Sequence, residues 1–249
     1  MLIRSIDHDE RLFATECLPR FSNLSEEVVK KTFEQQQFAK PKEGIIESDA
    51  IVKRANKLSF NFDNCTFDEE PYKGIFFALS QDEKYEIRLK TIDALKHFSI
   101  HCPFIQEQAQ DILMNMLSDE IDEVRIASLK NMAEFKNTLV LDKNSVNIVI
   151  FNLKEFNPAL RHSIYFFFSH IKVDNRESFE FLIKHLIFNM AKFKQDRYSI
   201  FKTFQRLGNN HSHFIADNLD KILGHKLEYR FAEPNWINDD VHIAKMIMI

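Results

Sequence analysis

Only 4 glycines and 6 prolines occur among 249 residues, against usual shares of roughly 7% and 5%. So few breakers exclude a turn-dense β architecture and a glycine-rich loop that cradles phosphate, and they leave long stretches uninterrupted. Three cysteines, Cys17, Cys65 and Cys102, stand at wide, unpatterned spacing, which excludes a disulfide framework and fits a reducing compartment. No run approaches the ~18 apolar residues of a membrane span, and Met1-Leu2-Ile3-Arg4 is too short for the apolar core of a signal peptide. The expectation is a soluble intracellular protein with no membrane partner. A strongly basic balance is also missing: the formal net charge is −4, which counts against a dedicated nucleic-acid binder.

What the chain does have is apolar bulk and a period. Apolar residues make up 45% and phenylalanine alone contributes 25 residues, enough for a continuous core. Arg88, Arg125, Arg161 and Arg197 are separated by 37, 36 and 36 residues. Asp82, Asp119 and Glu155 each lie six residues before their arginine, and Ile87, Val124 and Leu160 stand immediately before it. A fixed period in this range marks a stacked helical array in which each repeat buries its neighbour. The predicted fold is all-α, an α-solenoid of stacked helix pairs of the HEAT/armadillo type. An acid on one repeat and an arginine on the next can form a row of ion pairs, since the planar guanidinium fork matches a carboxylate. The expected pairings are Arg125 with Asp82 and Arg161 with Asp119.

Helix pairs fall between the arginines. Leu89, Ile92, Leu95 and Phe98 recur at helical spacing after Arg88, and Pro103 opens a partner carrying Ile105, Ala109, Ile112 and Leu113. Val124, Leu129 and Met132 continue the pattern after Asp119. Asn157-Pro158 reads as an N-cap with proline at the first helical position, and Asp174 to Glu177 as a capping-box start. Gly208-Asn209 reads as a C-terminal stop to a helix holding Ile200, Phe204 and Leu207. Arg11 is a further copy of the frame in which Ser5 replaces the acid, and no frame lies between it and Arg88. The expected organisation is an N-terminal repeat at 1–35, a partly disordered insertion at 36–71, a HEAT array at 72–230, and a loop with the start of another helix at 231–249.

No constellation of reactive residues stands out. His211-Ser212-His213 follows Gly208 without a cysteine or carboxylate at ligand spacing, so it reads as a solvated turn rather than a metal site. His97 and His101, four apart, read as helix C-terminal residues favoured by the dipole. There is no nucleophile-elbow or phosphate-loop motif, and the acid pairs Glu69-Glu70 and Asp239-Asp240 read as solvated charge. Neither catalytic residues nor cofactors, metal or small-molecule substrates are expected. Two basic clusters remain, Lys40, Lys42, Lys53, Arg54 and Lys57 in the insertion, and Lys192, Lys194, Arg197, Lys202 and Arg206 around one corner. Solvated charge is the plainer reading; a strip for phosphate or RNA contact is the functional one.

From Tyr72 onward several stretches stand out together: Tyr85-Glu86-Ile87-Arg88, Ser118-Asp119 through Val124-Arg125, Asp196-Arg197, and most specifically Ala232, Glu233 and Pro234 followed by Asp239 and Asp240. In these the chain resembles the Integrator complex subunit 4 family, HEAT-repeat scaffolds of RNA processing. The resemblance implies a nuclear, non-catalytic part. Its partners would be other Integrator subunits, especially a metallo-β-lactamase-like pair that includes an RNA endonuclease, at small nuclear RNA 3′ ends and in transcription termination. RNA contact would be at most indirect or weak. The chain is shorter than the family's usual span and ends in the apolar run Ile243 to Ile249, so it reads as a fragment. A generic HEAT adaptor of transport or coat type is the alternative, and the Ala-Glu-Pro turn distinguishes the two.

Overall fold

The computed structural model describes residues 5–23, 25–33, 74–135, 139–216 and 239–249. The expected insertion at 36–71, with its basic cluster, and the Ala232-Glu233-Pro234 turn lie outside these residues. The described helices are α1 (His8–Cys17), α2 (Glu26–Phe33), α3 (Gly74–Ser80), α4 (Tyr85–His101), α5 (Gln106–Asn115), α6 (Asp122–Ala133), α7 (Lys143–Phe151), α8 (Pro158–Phe168), α9 (Arg176–Lys192), α10 (Arg197–Asn210), α11 (Ser212–Ala216) and α12 (Asp240–Met248). They stack in two rows. One runs α1, α4, α6, α8, α10, α12, each helix packed on the next, and the other takes in α2, α3, α5, α7 and α9. This is a HEAT/armadillo-type α-solenoid. Among the described residues no helix is long and apolar enough to cross a membrane.

Position in the stack explains the burial pattern. A helix of the first row touches two row neighbours and its own pair partner, so it buries more than one stripe. In α4, Ile87, Ile92, Ala94, Leu95 and Phe98 are buried, and so are the polar Arg88, Thr91 and Ser99. Thr91 and Ser99 return their hydroxyls to the carbonyls of Ile87 and Leu95, both at 2.8 Å, which satisfies them without a tertiary partner.

Caps account for several helix starts. Asn157 accepts from the amides of Ala159 and Leu160, with Pro158 at the first helical position of α8. Asn175, not Asp174, caps α9 by accepting from the Ser178 amide, while Asp174 takes the Ser178 hydroxyl at 2.8 Å. Helix α7 carries no arginine frame; Asp142 caps it by accepting from the Ser145 amide, and Val146, Val149, Ile150 and Leu153 recur at helical spacing.

Gly208 corrects the expected helix stop. Helix α10 continues through it to Asn210. A Cβ at position 208 would run into the backbone of Met248 in α12. The glycine is there to let two helices approach, not to end one.

The ends of the first-row helices are joined by short links. Val140–Leu141 and Lys172–Val173 form a two-residue parallel bridge between the loop after α6 and the loop after α8. His211, at the end of α10, extends this line, because its Nε2 accepts from the Val173 amide at 2.9 Å. Its Nδ1–H donates to the Leu207 carbonyl at 2.9 Å, which requires the neutral Nδ1–H tautomer. His211 is fully buried, so the expected solvated turn is corrected at this residue. Burial holds its pKa below the ordinary 6.5.

Candidate functional site

At the opposite, N-terminal ends of the first-row helices the arginines line up. Arg11, Arg88 and Arg161 share one geometry. Nη1 of each donates backward to the carbonyls six and five residues earlier: Ser5 and Ile6 for Arg11, Asp82 and Glu83 for Arg88, Glu155 and Phe156 for Arg161. The remaining edge, Nε with Nη2, points at the next repeat and grips a carboxylate there. Arg11 meets Asp82 at 2.8 and 3.1 Å, Arg88 meets Asp119 at 2.7 and 2.8 Å, and Arg161 meets Asp196 at 2.6 and 3.3 Å. The backward contact uses a carbonyl, so Ser5 serves at that position as well as an acid would.

The expected pairings therefore run the wrong way. Asp82 is held by Arg11 and not by Arg125, and Asp119 by Arg88 and not by Arg161. The physical reason lies in the link before each helix. Its acid faces the preceding repeat, while the arginine's inner nitrogen is tied back to that same link, leaving only the forward edge free. The carboxylates are positioned as well: Asp82 accepts from the Lys84 amide at 3.0 Å and Asp119 from the Ile121 amide at 2.9 Å.

Two rungs differ. Arg125 lies 3.8 Å from Glu155, whose side chain is about half exposed, and takes the Asn152 side-chain carbonyl at 3.1 Å and Asp122 of its own helix instead. Asp122 also accepts from Asn157 at 2.5 Å, and the Asn157 and Arg125 hydrogen bonds hold its carboxyl below the usual range. Arg125 Nε finds no hydrogen-bond partner among the described residues. At the far end Arg197 reaches Asp240 at 3.0 Å across a half-open surface. Asp240 begins α12, and its neighbour Asp239 caps that helix through the Val241 amide, so this acid pair has structural partners and is not merely solvated charge.

The deepest rung is Arg161 with Asp196, each only 1% exposed. The guanidinium carbon lies 3.8 Å from the centre of the Phe193 ring. Asp196 also accepts from the Tyr165 hydroxyl at 3.2 Å, and Asn189 donates to that hydroxyl at 2.5 Å. Burial, followed by the adjacent carboxylate, pushes the Tyr165 phenol well above its ordinary pKa. Asp196 stands one residue before Arg197, outside the six-residue frame, and the period alone does not reveal it.

The basic corner is less unified. Lys192 turns to the Lys154 carbonyl at 3.3 Å and lies over the rings of Phe156 and Phe193. Lys194, Lys202 and Arg206 are exposed, with no hydrogen bond or ring contact joining them to Lys192 among the described residues. His97 and His101 stack at 4.1 Å, and His97 Nε2 lies 2.9 Å from Ser22 Oγ. Among the described residues a further cluster of ligand-type side chains, Asp7, His8 and Asp9, lies exposed on the surface.

Comparison with known proteins bears on what this row of pairs belongs to. No family model matches the chain. Over 176 residues, 71% of this chain and 18% of the relative, it is 27% identical to Integrator complex subunit 4 of Homo sapiens. It is also 27% identical over 178 residues to the Integrator complex subunit 4 homolog of Dictyostelium discoideum, covering 14% of that protein. With Integrator complex subunit 4 of Drosophila melanogaster it shares 22% over 135 residues, 54% of this chain and 13% of that one. The matches thus span less than a fifth of each relative. Among solved structures, the chain superposes on an engineered protein with a TM-score of 0.50 at 11% identity, covering 99% of this chain and 95% of that one. A designed armadillo repeat protein aligns at 14% identity, over 100% of this chain and 97% of that one, with a TM-score of 0.48. Over 71% of its length, then, the chain is similar to Integrator complex subunit 4.

Proposed function

We propose that this chain is a non-catalytic scaffold segment of a nuclear Integrator complex. It supports the module that contains the metallo-β-lactamase-like RNA endonuclease pair in small nuclear RNA 3′-end processing and transcription termination. The observation that carries this reading is the likeness to Integrator complex subunit 4 along 71% of the chain. The row of arginine–carboxylate pairs supports it physically. Each pair spans two successive first-row helices and removes a degree of freedom between them, so the stack presents its surface as one stiff body. In this reading catalysis resides in the partner subunits, and RNA contact is at most indirect or weak, with Lys192, Lys194, Lys202 and Arg206 as its candidate residues.

The test is affinity purification of the tagged chain from nuclear extract, read by mass spectrometry. Enrichment of Integrator subunits, the metallo-β-lactamase-like pair among them, is the expected result. Enrichment of transport receptors or coat components without Integrator subunits would replace this reading with that of a general adaptor.

A further inference from the structure

A groove of about 270 Å³ opens between the end of α7 and the outer face of α9. Its walls are aliphatic on one side, Ile150 and Leu153, and carry Phe188 on the other. Lys154, Lys184 and Lys192 stand around it. Lys184, Phe188 and Lys192 recur every four residues and so share one face of α9. Phe188 is 69% exposed, and Phe151 beside Lys154 is 65% exposed. An apolar cleft ringed by cations is not the default surface of a protein that carries a net charge of −4.

The lysines here also differ from others on the surface. Lys90, Lys96 and Lys143 each find a carboxylate, on Glu16, Glu134 and Glu177. Among the described residues Lys154, Lys184 and Lys192 are in no ion pair, and no acidic side chain lines the groove. Lys154 lies 5.0 Å from the Phe151 ring, and Lys192 lies 4.7 Å from the Phe193 ring and 5.1 Å from that of Phe156. Rings hold the stems of these two ammonium groups without neutralising them.

We propose that this groove docks an acidic linear segment of a partner protein. One bulky apolar side chain enters between Leu153 and Phe188, and flanking carboxylates meet Lys154, Lys184 and Lys192. Size decides in favour of a single anchor. The volume is just below the roughly 300–1,000 Å³ of pockets that enclose whole small molecules, and suits one leucine or phenylalanine side chain. Single-stranded RNA fits less well. Stacked bases need aromatic platforms, and besides Phe188 the groove offers only the half-buried His185 ring, tied to the Phe181 carbonyl at 2.8 Å, against an aliphatic wall of Ile150 and Leu153; the cations are lysines, with no arginine fork for a phosphate. The proposal stands on the groove and not on the family assignment, so a chain that failed to co-purify with Integrator could still satisfy it.

The experiment uses fluorescence anisotropy on the full chain. The probes are labelled peptides with Asp and Glu flanking a central Leu or Phe, the same peptides with Ser at the centre, and a single-stranded oligouridine. The variants are Lys184→Glu with Lys192→Glu, Phe188→Ala, and an equal-charge control, Lys84→Glu with Lys130→Glu. All five positions have exposed side chains, and circular dichroism checks that each variant is folded. Saturable binding of the Leu or Phe peptides, weakened about tenfold or more by either groove variant and by the Ser centre but not by the control, is the expected result. The proposal is overturned if no anchored peptide binds saturably, or if the control weakens binding as much as the groove variants. It is equally overturned if oligouridine binds more tightly than the peptides with the same sensitivity to the groove variants.

Discussion

Arg161 and Asp196 lie 35 residues apart in sequence and meet at 2.6 Å with both side chains 1% exposed. The pair joins α8 to the turn that starts α10, and Tyr165 and Asn189 complete its hydrogen bonds. A buried ion pair is a weak source of net stability but a costly thing to break, since removing one partner leaves a desolvated charge behind. We expect Arg161→Ala to lower unfolding free energy by about 3–5 kcal/mol, measured by chemical denaturation. A loss within about 1 kcal/mol, the range of exposed pairs, would show that the site relaxes or admits water.

The forward direction of the pairs is tested by double-mutant cycles. Arg88 with Asp119 should show a coupling of roughly 0.5–3 kcal/mol, as for side chains in direct contact. Arg125 with Asp82 should show none, because Asp82 is gripped by Arg11. Significant coupling in the second cycle and none in the first would reverse the assignment.

Gly208 is expected to tolerate no side chain. Its Cβ would collide with the Met248 backbone, which has no flexible end to swing aside. In Gly208→Ala, α12 should separate from α10, so that the Ala244 amide exchanges with solvent much faster while those of Leu182 and Leu186 keep their protection. Native-state hydrogen exchange reads both, and unchanged protection at Ala244 would mean that the helices approach less closely than described.

Acid should weaken the stack through His211. Its folded pKa is depressed by burial, so on acidification the unfolded chain takes up the proton first. Stability is then full above the ordinary value of 6.5 and falls as the pH drops below it, toward the native pKa. His97 adds to the same trend, lowered by burial and then by His101. In His211→Gln the slope of stability against pH between neutrality and about one unit below 6.5 should be shallower than in the parent chain. Equal slopes would remove His211 from this account.

Much of this was legible in the residues themselves. The scarcity of glycine and proline, the 36- to 37-residue spacing of arginines and the Asn157-Pro158 start are local or one-dimensional signals, and a helical array imposes each of them on sequence directly. The helix at Lys143–Phe151 was also there, in the spacing of Val146, Val149 and Ile150, but it carries no arginine frame to draw attention to it.

The direction of the ion pairs was decided only in three dimensions. A period is the same read toward either neighbour, so it cannot say whether Asp82 faces the arginine before it or one further along. What breaks the symmetry is the backward grip of each Nη1 on its own link, which leaves one free edge pointing forward. The same holds for Asp196, found by burial and not by spacing, and for Asn152, which takes Arg125 where Glu155 remains 3.8 Å away. Gly208 and His211 read as a stop and a solvated turn because their immediate neighbours in sequence are turn-like. Their actual surroundings, the Met248 backbone and the Val173 amide, come from segments about 40 residues away. Sequence determines the repeat, because each repeat must cover its neighbour's apolar face. Tertiary packing alone determines which polar atoms end up desolvated together, and those atoms set the direction of the row.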